Sequence, residues 1–134
     1  MSAPVSASVG ALEGGALRGR RVLLVDDEPL ILLDLEMEFE EAGMVPVLGR
    51  DVATSLALLD GTSVAAAVLD VNLGPGETCM PIAERLRERG VPFVLHSGEV
   101  VRHGDVVAAL DAPLVGKPAP AGSLVEALAR QMAG

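Results

Sequence analysis

Five short apolar runs punctuate the chain, and longer stretches with apolar residues every three or four positions separate them. The runs are Val22–Val25, Met44–Leu48, Val64–Leu69, Val91–His96 and Pro113–Gly116. The longest are continuous rather than alternating, as expected of strands buried on both faces. The first strand opens at Arg20-Arg21 and ends at Asp26. Pro29 suits the first turn of a helix that runs to Ala42 and stops at Gly43. Asp51 reads as the N-cap of a helix ending near Asp60-Gly61. Residues 72–77 form a loop, and a helix follows to Arg89-Gly90. A weak helix spans Glu99 to Leu110, and a last one Ser123 to Met132. Residues 1–18, rich in Ala, Ser and Gly, read as a disordered tail, with one domain over residues 19–134.

Strand and helix alternate five times, which predicts an α/β fold: a five-stranded parallel sheet with helices on both faces. Pro46 falls inside the second strand, tolerable only at a sheet edge, whereas the first and third strands carry no proline. Both facts agree with the doubly wound, flavodoxin-like order 2-1-3-4-5, whose switch point lies between strands one and three. On the first helix, Ile31, Leu35, Phe39 and Ala42 form a stripe assigned to the core. Leu30, Leu33 and Met37 fall on the opposite side, where a surface helix is normally polar. Single exposed apolar residues are ordinary. Three at helical spacing read as a docking patch for a partner helix.

Composition narrows the function. The 134 residues suffice for one domain with a real core, and half are hydrophobic. Phe39 and Phe93 are the only aromatic residues, so the core is built from Leu, Val, Ile and Ala. A net charge of −9 argues against direct contact with nucleic acid. A single cysteine, Cys79, allows no internal disulfide and fits a reducing cytosol. No run is long enough to span a bilayer, and no secretion signal opens the chain. A cytoplasmic protein with no membrane or nucleic-acid partner is expected, as a monomer or weak homodimer.

The chemistry concentrates at the ends of the strands. Asp26 and Asp27 follow the first strand, Asp70 the third, and Lys117 the fifth. Parallel strands deliver all four to one sheet edge, where open α/β folds bind ligands. Each acid alone is readable as a helix cap, a solvated residue or a turn residue. Gathered together, they cannot all stay ionised unpaired, which implies a hard, oxygen-seeking divalent cation. A cation and a lysine around a carboxylate suit phosphoryl transfer, with Asp70 as the nucleophile. Ser97, ending the fourth strand, could donate a hydrogen bond to the new phosphoryl group; alternatively it is an ordinary strand-end hydroxyl.

These residues sit in motifs. Val25-Asp26-Asp27, Val68-Leu69-Asp70, His96-Ser97-Gly98 and Gly116-Lys117-Pro118 are each weak alone. In this order and spacing, over Arg21 to Met132, the set resembles a response-regulator receiver domain. The resemblance implies that Asp70 accepts a phosphoryl group from a phosphohistidine on a sensor histidine kinase or histidine phosphotransfer protein. It implies Mg²⁺ as cofactor, bound by Asp27 directly, by Asp26 directly or through water, and by the backbone carbonyl of Asn72. It also implies that Ser97 turns toward the phosphoryl group, that Lys117 pairs with it, and that Asn72 and Glu99 tune self-dephosphorylation. Two positions depart from the pattern. Leu114 stands where receivers often carry a switching Tyr or Phe. The loop Asn72-Leu73-Gly74-Pro75-Gly76-Glu77 replaces the commoner Met-Pro form and is similar to a branch of small stand-alone receivers.

Other candidates carry less. His96 reads as a strand-end residue and His103 as a solvated one, with no zinc spacing. Cys79 has no obvious histidine partner for thiol chemistry. Gly10, Gly14 and Gly15 precede the first strand, so they form no dinucleotide loop. The expectation is a single-domain signalling module, not a dedicated enzyme, with output through protein contacts or as a phosphate shuttle or sink. A small aspartyl-phosphate phosphatase is one alternative, disfavoured because Asn72 replaces the second acid such enzymes need. A degenerate receiver that binds partners without phosphorylation is the other, disfavoured by intact Asp27, Asp70, Ser97 and Lys117.

Overall fold

The computed structural model describes residues 17–98, 104–120 and 122–133. Within them lie β1 (Arg21–Val25), α1 (Pro29–Glu41), β2 (Val45–Gly49), α2 (Val52–Gly61) and β3 (Ala66–Asp70). There follow α3 (Met80–Glu88), β4 (Phe93–Ser97), α4 (Gly104–Leu110), β5 (Leu114–Gly116) and α5 (Ser123–Ala133). The strands form one parallel sheet in the order β2-β1-β3-β4-β5, as the alternation and the prolines predict. Pro46 sits on edge strand β2 in register with Val22, where a missing N–H is tolerable.

Successive residues of a strand face opposite sides, so each central strand feeds two cores. Val22, Leu24, Val68 and Val94 pack with Leu35, Phe39, Leu124 and Leu128 beneath α1 and α5. Leu23, Val25, Leu69 and Leu95 pack with Leu59, Ile82, Leu86 and Leu110 beneath α2, α3 and α4. The core stripe of α1 is wider than expected. Leu35 and Phe39 are buried as predicted, but Leu32 is buried as well, while Ile31 and Ala42 are half-buried against the same cluster. Leu17, within the stretch read as tail, is buried in that cluster; the rest of that stretch lies outside the described residues apart from Arg18.

The helix ends follow the local chemistry. Asp51 accepts a hydrogen bond from Thr54 N at 2.7 Å and caps α2. At α3, Gly90 takes φ +69°, and the Val91 N–H turns back to the Leu86 carbonyl at 2.9 Å. That bond takes Val91 out of the sheet, and Pro92 has no N–H to give, so β4 begins at Phe93 rather than at Val91. The weak helix is described only from Gly104; Glu99 and His103 lie outside the described residues.

Gly49, the last residue of β2, links the fold to the site. Its carbonyl accepts the Asp26 N–H at 3.1 Å. A Cβ here would collide with the hydroxyl of buried Ser55. Gly49→Ala is expected to lower stability by about 1–3 kcal/mol by overpacking. Urea denaturation checks this, and Ser55→Ala in the same background should recover part of the loss.

Candidate functional site

β1 and β3 are neighbours and end together, so Asp26, Asp27 and Asp70 leave the sheet at one rim. Each offers a carboxylate oxygen, and these oxygens all lie within 4.8 Å of one another. Asp26 is fully buried, Asp70 is 4% exposed and Asp27 faces solvent. Asp26 is locked from both ends. Its own N–H bonds to Gly49, and its Oδ1 accepts the Glu28 N–H at 2.9 Å just before α1 begins.

Lys117 closes the rim from the far side. Its backbone N–H donates to the Ser97 carbonyl at 3.1 Å, tying the exit of β5 to that of β4. From there Nζ reaches Asp26 Oδ2 at 2.8 Å and Asp70 Oδ2 at 3.3 Å. Ser97 is buried, one residue beyond His96, the register partner of Asp70. The four residues read from strand ends are thus brought together, with Ser97 on the same rim.

The electrostatics follow from crowding acids in a dry place. Burial pushes the Asp70 carboxyl up to about 7, and the neighbouring Asp26 and Asp27 charges push the same way against the pull of Lys117. Burial alone lowers the Lys117 ammonium. The hydrogen bond to Asp26 and the charges of Asp70 and Asp26 outweigh it and hold the group above its ordinary value. The donor set is hard carboxylate oxygen, with more negative charge than one lysine balances, so the residues fit a divalent cation such as Mg²⁺.

Beyond Asp70 the chain forms a closed loop. Asn72 bridges Thr78, Leu73 N–H donates to the Glu77 carbonyl at 3.0 Å, and Cys79 N–H to the Val71 carbonyl at 3.0 Å. Gly74 and Gly76 take φ +120° and +73°, which the Gly-Pro-Gly sequence permits. The Asn72 side chain turns into its own loop, accepting the Gly74 N–H at 3.4 Å. Glu99, the other tuning candidate, lies outside the described residues. Leu114 is half-buried against the core beneath α2, α3 and α4, in register with Leu95. Cys79 is buried and its thiol pushed up to about 12, chiefly by burial, which leaves it unreactive. Leu30, Leu33 and Met37 are exposed, 77%, 49% and 52%, as the helical spacing predicts.

His96 is the residue the sequence undersold. It does end a strand, but it is buried, with no hydrogen-bond partner on either ring nitrogen. The available signal was parity. In a strand buried on both faces, the residue before Ser97 must point into a core.

No protein-family model and no curated protein matches the chain. Solved structures do. SdrG from Sphingomonas melonis Fr1 is 36% identical, over 85% of this chain and 97% of that one, with a TM-score of 0.73. A response regulator receiver protein from Sinorhizobium medicae WSM419 is 24% identical over 88% of this chain and 98% of its own, with a TM-score of 0.76. A CheY-like receiver domain protein from Methanospirillum hungatei JF-1 is 19% identical over 86% and 94%, also at 0.76. With the strand order, the acidic rim and the lysine in place, the chain belongs to the response-regulator receiver-domain family.

Proposed function

We propose that this receiver is a phosphoryl acceptor in a two-component relay, with Asp70 as the site. The observation that carries the reading is Asp70 Oδ2 set 3.3 Å from Lys117 Nζ, beside two further carboxylates. An ionised Asp70 oxygen attacks the phosphorus of a phosphohistidine on a sensor kinase or phosphotransfer protein. The P–N bond breaks as the P–O bond forms, and the imidazole leaves with the electron pair. Asp26, Asp27, Asp70 and the Asn72 carbonyl would hold Mg²⁺, which supplies neutralisation of phosphoryl charge. Lys117 shares that duty, and the Ser97 hydroxyl donates to a phosphoryl oxygen. In this reading Asn72 and Glu99 tune the lifetime of the acyl phosphate.

The chain is a signalling module rather than a dedicated enzyme in this reading, since a phosphatase needs a proton donor two residues beyond Asp70 and Asn72 is there. Output passes through protein contact or phosphate shuttling, and the unpaired Cys79 suits a cytosolic setting. Among the described residues no helix is long and apolar enough to cross a membrane.

Incubation with acetyl phosphate and Mg²⁺, followed by intact mass measurement, tests the proposal. One acid-stable, base-labile phosphoryl group is expected, and none when Mg²⁺ is chelated. Rapid turnover of diverse phosphate esters would indicate the phosphatase. No adduct from the small donor or from a cognate kinase would indicate a phosphorylation-independent binding module. The docking patch has its own test. Leu33→Glu should weaken transfer from a cognate phosphohistidine donor roughly tenfold, the scale of an interface anchor, and leave acetyl phosphate labelling intact. Equal loss of both would mean damage to the fold.

A further inference from the structure

A cavity of about 420 Å³ opens between α1 and the turn joining β5 to α5. Ile31, Leu35 and Leu124 make its apolar walls. Glu28, Asp34 and Glu38 bring carboxylates to it, and the Glu38 side chain also accepts the Gly122 N–H at 2.9 Å, bracing α1 against the start of α5. His96 lines the same cavity, 5% exposed, with neither ring nitrogen hydrogen-bonded. Its ring is neutral at physiological pH, because burial and the Lys117 charge push its pKa down to about 4. A neutral imidazole carries one donor and one acceptor, and a donor head entering the cavity can meet the acceptor nitrogen.

The occupant's charge is set by what surrounds the opening. From Glu28 to Glu41 the chain carries six acids and no base. Lys117 also lines the cavity, but its ammonium is committed to Asp26 and Asp70. A metal ion does not fit, since the one cluster of suitably spaced ligand atoms among the described residues is Asp26, Asp27 and Asp70. What fits is an alkyl stem with a cationic, multi-donor head. A guanidinium combines five donors with weak hydration.

The source of that group follows from where the cavity lies. Asp34 and Glu38 separate it from the exposed stripe Leu30, Leu33 and Met37, and Glu36 and Glu40 border the stripe on its other side. A partner covering α1 thus meets an apolar strip between two acidic rows, and its complement is an apolar strip between basic rows. We propose that the cavity is the socket for an arginine side chain presented by the partner helix that docks on α1. This rests on the reading of Leu30, Leu33 and Met37 as the docking patch.

The probe is a synthetic amphipathic helix with a leucine stripe flanked by arginines, with a twin carrying neutral citrulline in their place. The protein is the full chain, followed by NMR of the His96 ring and the Met37 methyl. The arginine peptide should shift both signals on one binding curve. The citrulline twin should bind at least tenfold more weakly, and Asp34→Asn should weaken the arginine peptide severalfold. A peptide that binds without moving the His96 ring, or equal binding of the two peptides, overturns the socket. Butylguanidinium saturating His96 as tightly as the peptide would make it a small-solute site and overturn the partner assignment. Acetyl phosphate labelling of Asp70 needs no docking. Labelling with an unmoved His96 therefore sinks the socket alone, whereas absent labelling sinks the phosphoryl-acceptor reading itself.

Discussion

Asp70→Asn should take up no phosphoryl group from acetyl phosphate, yet should melt several degrees higher than the parent at pH 8 without metal. The first half follows from removing the nucleophile; an amide oxygen at this place forms no stable acyl phosphate. The second follows from what the carboxylate costs. Asp70 is buried beside Asp26 and Asp27, and one lysine does not balance three acids. Its carboxyl is pushed from 3.8 to about 7. Between those values the native state holds a proton that the unfolded chain has released. The contribution of Asp70 to the stability of the metal-free parent is therefore fully present below pH 3.8 and is lost as pH rises through about 7. Asp70→Asn should flatten that slope, and saturating Mg²⁺ should reverse it in the parent alone, because cation and proton compete for the same oxygens. Thermal melts from pH 5 to 8, with Mg²⁺ and with chelator, decide the matter. A variant that melts lower than the parent at pH 8 in chelator would mean that the rim is not under charge strain.

Lys117→Met should cost about 3–5 kcal/mol at pH 8 in chelator, the scale for breaking a buried ion pair from one side. The fully buried Asp26 loses its 2.8 Å ammonium partner, and Asp70 loses its 3.3 Å partner. The alkyl stem survives in methionine, so the packing beside Pro118 changes little. The penalty should shrink as pH falls, because Asp70, its carboxyl pushed up to about 7, then takes up a proton. Mg²⁺ should stabilise this variant more than the parent, standing in for the missing charge. Labelling by acetyl phosphate should slow roughly 10²-fold, the usual loss when one fixed charge or donor at a reacting centre is removed. Denaturant titrations at pH 6 and pH 8 measure the first effect, and timed mass spectra the second. Equal losses at both pH values would show that lysine acts here by packing rather than charge.

The difference between these two variants shows where the site was legible in advance and where it was not. That Asp26, Asp70 and Lys117 share a rim is readable from strand ends alone, because parallel strands all point their carboxyl ends the same way. That Lys117 sits closer to Asp26 than to Asp70 is not readable, since it depends on how the Lys117 backbone hangs from the Ser97 carbonyl. The raised Asp70 pKa is likewise a product of burial from several directions. His96 had a parity signal, but its two unmet nitrogens and the cavity beside it arise where α1 and the β5–α5 turn meet.

The same division runs through the fold. Local rules stop α1 at Gly43, cap α2 with Asp51 and put Pro46 on an edge, because each depends on a few neighbouring residues and the chain's own stereochemistry. The alternation of buried runs and amphipathic stretches determined the five-stranded order and the catalytic-looking rim. Only the tertiary structure decided that Leu32 and Leu17 are core, and how charge is shared among Asp26, Asp70 and Lys117. Those outcomes depend on groups far apart in sequence, and burial and Coulomb energy are set by distance in space.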